Sequence, residues 1–481
     1  MAFDASTIIE RLLFEGDVME QREKFGSRLG FLLISAGCAI GLGNVWRFPF
    51  ITGKYGGGAF VVMYLVFLAV LAVPILIMEF SVGRASQRSI ARAFDELEPA
   101  GSKWHVFKWV GLAGNYLLMM FYTVVTGWMF SYVFKSASGT FVGQTSESVA
   151  SVFGDLLANP GELVFWTAVV VIIGVVVTGM GLRNGVERVT KVMMLALLVV
   201  LVVLSIRSVT LPGASEGLSF YLMPDFGKLA AGGAGGVFEA VYAAMGHAFF
   251  TLSIGIGSMA IFGSYTSRDH SLTSEGLRVA GLDTLVALVA GLVILPACFA
   301  FGVEPDAGPS LVFVTLPSVF EQMPLGQLWC SLFFLFLSFA ALSTIIAVFE
   351  NIMSFTVDEW GVSRKRSVAI NGVCLFVLSL PCVFGFNVLS DFTIPGIGDI
   401  QSIEDFLVSN IILPIGSLVF CVFCVSKKGW GWNNFLKEAD TGAGARFPAW
   451  LRPWATYGIP ALILIVLVMG WVPVVTTWIG A

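Results

Sequence analysis

The chain has 481 residues, 57% of them hydrophobic and 12% charged, with a net charge of −5. Soluble domains carry about a quarter charged residues, and a mean hydropathy of +0.87 rules out a water-soluble core in favour of helices in a lipid bilayer. The small, dispersed negative charge gives a nucleic-acid partner no footing.

In chain order, residues 1–28 mix both signs and lack the short apolar core of a cleavable signal. They read as a cytoplasmic N-terminal segment, with "TIIERLLF" as a short amphipathic surface helix. Apolar spans follow at 29–50, 59–80, 107–134, 163–181, 189–208, 238–262, 277–302, 326–355, 367–387, 402–425 and 456–477. The expected fold is therefore an all-α polytopic membrane protein of eleven transmembrane helices. With the N-terminus inside, 22 of the 27 Lys and Arg fall on the cytoplasmic side and four outside, while Arg47 lies within the first span. That positive-inside bias places the C-terminus outside. The seven cysteines lie in or beside apolar spans without metal-ligand spacing and read as small buried side chains.

The first span carries "AGCAIGLGNVWRFPF", with Gly37, Gly41, Gly43, Asn44, Arg47 and Pro49 where lipid should begin. Ile40-Gly41-Leu42-Gly43-Asn44 is echoed by Ile254-Gly255-Ile256-Gly257-Ser258 in the sixth span, which enters from the opposite side. Glycine-interrupted helices at corresponding places in opposed halves point to a 5+5 inverted repeat, 29–208 and 238–425, followed by an eleventh helix at 456–477. Paired glycines also allow close helix packing, but polar residues flank both copies. Discontinuous helices 1 and 6 would free main-chain groups that lipid cannot satisfy. Freed carbonyls suit Na⁺, and freed N–H groups suit a carboxylate. A zwitterionic amino acid with sodium satisfies both. Thr251 and Ser253 precede the second break, Asp283 is a carboxylate inside span seven, and Ser343 and Thr344 lie on span eight.

"GLGNVWRFPF" and "YGGGAF" resemble signatures of the neurotransmitter:sodium symporter family, bacterial amino-acid transporter branch with a leucine-transporter-like fold. The resemblance is collinear from about Arg22 to the end of span eleven. It implies a first sodium site at the Ala39 carbonyl, Asn44, Thr251 and Asp283, completed by the substrate carboxylate. It implies a second at the carbonyls of Gly37, Ile40 and Ala340 and the hydroxyls of Ser343 and Thr344. Both sets are all-oxygen, as a hard cation requires. The substrate carboxylate would meet the N–H groups of Leu42 and Gly43 and the Tyr122 hydroxyl. Its ammonium would meet the carbonyls of Ala39, Phe250 and Thr251, and Ser253. Leu118, Tyr122, Phe250, Ile256, Val348 and Cys38 would line an apolar side-chain pocket that excludes charged substrates. Monoamine-carrying relatives have Asp where this chain has Gly41, so an amino acid bringing its own carboxylate is expected.

Ala287 stands where chloride-dependent relatives carry a serine, and Asp283 replaces an asparagine, so no chloride requirement is expected. Gly185 matches a family glycine in span five, but Leu195 stands where a proline eases inward unwinding. The outer gate would pair Arg47 with Asp405; the inner would pair Arg22 with Asp358, with Phe25 at a usual tryptophan position and Tyr265 bracing them. His247 replaces a common glutamine. Together these imply a sodium-coupled symporter importing a neutral, hydrophobic L-amino acid by alternating access in a prokaryotic inner membrane. Importing another small zwitterion, or sensing amino acids with the same fold, uses the same residues. A channel would show repeated pore motifs, and an enzyme a clustered catalytic set; His105, His247 and His270 are scattered.

Overall fold

The computed structural model describes residues 24–303 and 310–480. Arg22 and the "TIIERLLF" segment lie outside the described residues. Two short helices open the membrane region, α1 (Arg28–Ala39) and α2 (Gly43–Lys54), bent by 55° at their junction. Then come α3 (Gly58–Ser86), α4 (Trp104–Ala137), α5 (Pro160–Gly179) and α6 (Leu182–Val209). The second half begins with α7 (Gly233–Thr251) and α8 (Ser258–Ser264). It continues with α9 (Leu272–Ala300), α10 (Gly326–Trp360), α11 (Arg364–Gly385), α12 (Ile400–Val425) and α13 (Ala449–Ile479).

Among the described residues nine helices are long and apolar enough to cross a membrane, and the bent α1–α2 pair makes a tenth by length and composition. The expected span 238–262 is divided: α7 stops at Thr251 and α8 starts at Ser258, so neither piece crosses alone. Four of the spans, and the shorter apolar helix Leu311–Glu321, hold a proline just after a wide π-type turn. Pro49 follows Gly43–Arg47, Pro74 follows Leu68–Ala72, Pro317 follows Leu311–Thr315, Pro414 follows Leu407–Ile412, and Pro460 follows Trp454–Gly458. A proline ring clashes with the carbonyl of the preceding turn and donates no hydrogen bond, and widening that turn relieves both faults.

Burial ranks the helices. The most apolar stretch of α10 is 83% buried and that of α13 only 28%, so α10 is central and α13 faces lipid. The long α10 packs along α4, and α8 packs on the second half of α3. That second contact needs glycine: a Cβ on Gly83 would lie 1.8 Å from Ala260 O, and one on Gly263 2.3 Å from Phe80 O. Small residues let helix backbones touch where no hydrophobic effect drives them together. These contacts place both breaks against α3, α4, α9 and α10.

Candidate functional site

The first break begins at Ile40, whose extended backbone (φ −71°, ψ 94°) ends α1. The Gly41 N–H donates to Asn44 Oδ1 at 3.2 Å, and the Leu42 N–H to Tyr122 Oη of α4 at 2.9 Å. Gly41 admits no side chain here, since its Cβ would lie 2.2 Å from Tyr122 Oη and 2.6 Å from Thr344 Oγ1.

The second break runs over 252–257 with left-handed backbone at Ser253 (φ 50°), Gly255 (φ 99°) and Gly257 (φ 81°). Its main-chain groups are met by side chains from neighbouring helices. Glu79 of α3, fully buried, accepts from the N–H of Gly255 at 2.8 Å and of Met259 at 3.0 Å. Asn115 Nδ2 of α4 donates to Ile256 O at 2.8 Å, and Asn351 Nδ2 of α10 donates to Asn115 Oδ1 at 2.9 Å. Sequence reasoning missed Glu79, Asn115 and Asn351. The rule that singles out an intramembrane carboxylate applies to Glu79 as it does to Asp283.

Two oxygen clusters flank the breaks. In the first, Asp283 of α9 accepts from Asn44 Nδ2 at 2.8 Å and from Thr251 Oγ1 at 2.9 Å, one bond on each carboxylate oxygen. Asn44, Thr251 and Asp283 are all 0% exposed. In the second, Ser343 Oγ lies 2.9 Å from Gly37 O, 2.8 Å from Ala340 O and 3.4 Å from Ile40 O. Thr344 Oγ1 lies 3.3–3.5 Å from the same three carbonyls and 3.3 Å from Cys38 O. The Cys38 carbonyl also takes Ser253 Oγ and the Ala340 carbonyl lies within the unbroken α10, so the two hydroxyls converge on the carbonyls freed where α1 ends, and six oxygens face one buried spot.

Between the clusters lies a cavity lined by Ala39, Gly41, Gly43, Leu118, Tyr122, Phe250, Ser253, Ile256, Thr344 and Leu413. Its volume is about 20 Å³, room for about one water, so its walls must part to admit an amino acid. Val348 is buried on α10 but does not line it, and Cys38 contributes its carbonyl, which accepts from Ser253 Oγ at 3.2 Å. Leu413 of α12, which sequence reasoning passed over, lines it instead.

Above the cavity, the Arg47 guanidinium lies 4.8 Å from the Phe250 ring centroid. The structure does not join Arg47 and Asp405 in an ion pair: Asp405 accepts from Ser409 Oγ at 2.7 Å. Arg47 instead gains a cation–π contact with the cavity's aromatic wall. His247 is fully buried, stacked on Phe48 at 5.6 Å and tilted against Tyr64 at 5.0 Å. Among the described residues neither of its ring nitrogens has a hydrogen-bond partner.

On the opposite side Asp358 accepts from the Ser89 N–H at 2.8 Å. Phe25 meets Tyr265 edge-on at 5.7 Å. Tyr265 Oη donates to Glu350 Oε1 at 2.8 Å, and Glu350 is paired with Arg364. Arg364 also donates to Thr178 O at 2.8 Å. Glu350 therefore ties α5, α10 and α11 to the chain just after α8.

The model of the Sodium:neurotransmitter symporter family matches residues 22–151 and 144–478. An uncharacterized sodium-dependent transporter of Bacillus subtilis (strain 168), YhdH, is 34% identical over 92% of this chain and 96% of its own length. Another, from Haemophilus influenzae, is 31% identical over 93% and 98%. The crystal structure of MhsT in complex with L-phenylalanine superposes with a TM-score of 0.84 at 36% identity, covering 93% of this chain and 100% of that one. Interrupted helices, buried oxygen clusters and full-length similarity agree: the chain belongs to the sodium:neurotransmitter symporter family.

Proposed function

We propose that the chain imports a neutral, hydrophobic L-amino acid together with Na⁺ by alternating access, without chloride. The observation that carries this reading is the convergence of the Ser343 and Thr344 hydroxyls with the carbonyls of Gly37, Cys38, Ile40 and Ala340 on one buried spot at the end of α1. Main-chain carbonyls freed at a helix break inside a bilayer need a partner, and a desolvated hard cation is the partner that takes several oxygens at once. We assign the second sodium to Gly37, Ile40, Ala340, Ser343 and Thr344, and the first to the Ala39 carbonyl, Asn44, Thr251 and Asp283. Asp283 supplies beside the first sodium the negative charge that an anion would otherwise bring.

The substrate carboxylate goes to the N–H groups of Leu42 and Gly43 with Tyr122. Its ammonium goes to the carbonyls of Ala39, Phe250 and Thr251, and Ser253. Leu118, Phe250 and Ile256 offer an apolar wall that would leave a second charge unpaired, and MhsT was solved with L-phenylalanine. Glycine at 41 leaves the substrate to bring its own carboxylate. The two inverted repeats span 29–208 and 238–425, with an eleventh helix at 456–477 and the C-terminus outside.

The test is uptake of labelled amino acids into proteoliposomes under an inward sodium gradient, with and without chloride. Saturable accumulation against the amino-acid gradient, abolished in potassium and unchanged without chloride, is the expected result. Binding without accumulation would turn the reading into a sensor, and non-saturating flux into a channel.

A further inference from the structure

A second cavity, remote from the breaks, lies where α12 ends and α13 begins. It is lined by Lys427, Trp430, Trp432, Asn433, Asn434 and Arg452, with Val425 and Gly431 behind them, and encloses about 320 Å³. Cys421 Sγ donates to Ala455 O at 3.1 Å, holding the two helix ends together beneath it. The lining contains two cations and no carboxylate, and among the described residues neither Lys427 nor Arg452 has an ion-pair partner. The nearby acids are committed elsewhere: Glu438 pairs with Arg84 and Arg268, and Asp440 accepts from the Phe447 N–H at 2.6 Å. The cavity therefore has the chemistry of an anion site.

Its height in the membrane indicates which anion. Arg452 stands just ahead of the lipid-facing run of α13, where Leu464, Ile465 and Val468 are exposed. Trp450 and Tyr457 flank it with 77% and 75% of their surfaces exposed, as aromatic side chains do at the headgroup level. Free anions have no need of an apolar wall beneath the charge, whereas a phospholipid does. We propose that Lys427 and Arg452 hold the phosphate of an anionic phospholipid in this cavity, with its acyl chains along α13 and the Asn433 and Asn434 amides facing the polar remainder of the headgroup. Arg grips a phosphate with its planar fork and Lys as a point charge.

Native mass spectrometry of the full chain with phosphatidylglycerol, phosphatidylcholine and inorganic phosphate tests this. Wild type should retain phosphatidylglycerol and shed phosphatidylcholine. The Lys427→Gln/Arg452→Gln double variant should weaken that retention about tenfold or more, while Lys437→Gln/Arg446→Gln, which removes two charges outside the cavity, and Lys427→Arg retain it. Sodium-dependent amino-acid binding, read in the same samples, reports that the double variant is folded. Equal retention in both double variants would overturn the proposal, because the lipid would then be held by diffuse charge. Displacement by millimolar inorganic phosphate would overturn it too, by making the site one for a free anion.

Discussion

Asp283 illustrates how much one side chain carries at the residue scale. Its two oxygens take hydrogen bonds from opposite halves of the chain, Asn44 in the first and Thr251 in the second. A charged residue among apolar neighbours is visible in any hydropathy reading, which is why the sequence points to it. On the proposed assignment, Asp283→Asn removes a charge-assisted bond worth about 1.5–3 kcal/mol and the negative charge beside the first sodium. Sodium half-saturation for uptake should rise about tenfold or more in chloride-free buffer; unchanged uptake there would refute the fixed-charge assignment. Glu79 was equally visible, but its role was not. Its partners are the main-chain N–H groups of Gly255 in the second break and Met259 at the start of α8, and main-chain groups have no signature in a sequence. Glu79→Ala strands two buried N–H groups at about 1–3 kcal/mol each, so the detergent-solubilised variant should melt well below wild type. Glu79→Gln, which keeps an acceptor oxygen, should lose less. If both variants melt like wild type, the carboxylate is not holding the second break. Val348 and Leu413 show the limit from the other side, since which apolar residue lines a cavity depends on helix rotation and not on composition.

At the scale of elements, the interruptions were legible because glycine pairs and polar residues sat where helices should continue. The size of the bend at the first break, 55°, and the ends of the two pieces of the sixth span, Thr251 and Ser258, were not, because they follow from what packs against the break. Gly255 and Gly416 make that contact. A Cβ on Gly416 would lie 1.8 Å from Gly255 O, and a Cβ on Gly255 2.3 Å from Leu413 O. The second break thus sits directly on the backbone of α12, just past its wide turn and Pro414. Gly416→Ala should destabilise by about 1–3 kcal/mol through overpacking and lower substrate affinity with it. Gly281 is the internal control: it lies within α9 with nothing within 4 Å of its would-be Cβ. Gly281→Ala should stabilise by about 0.5–1 kcal/mol through helix propensity alone. Thermal melts of the two variants in one detergent should move in opposite directions. A shift of the same sign in both would mean that glycine acts at 416 through backbone entropy and not through contact.

For the whole molecule the question is what keeps one side shut, because a cavity of about 20 Å³ admits a substrate only when a side opens. In the proposed orientation the closure on the inner side would rest on Glu350, fully buried, with Tyr265, Ser354 and Arg364 all converging on it. Arg364 carries the link on to Thr178 of α5. Glu350→Gln keeps the shape and removes the charge, which weakens the pairing with Arg364 by about 1.5 kcal/mol. A closed state weakened by that much gives up about tenfold of its population to the inward-open one. Thr190 of α6 reports on this. It is 1% exposed, and its Cγ2 lies 3.1 Å from where a Cβ on Gly37 would sit, beside the second oxygen cluster. In a Cys374→Ser background, which removes the one exposed thiol among the described residues, a Thr190→Cys probe should react slowly with a membrane-impermeant maleimide from the inner side. Adding Glu350→Gln should speed that reaction about tenfold. Sodium should slow it again, because ions at the proposed Ser343–Thr344 site would tie α1 to α10 and favour the closed arrangement. Equal rates with and without Glu350→Gln would show that the buried cluster is packing alone and that the closure rests elsewhere.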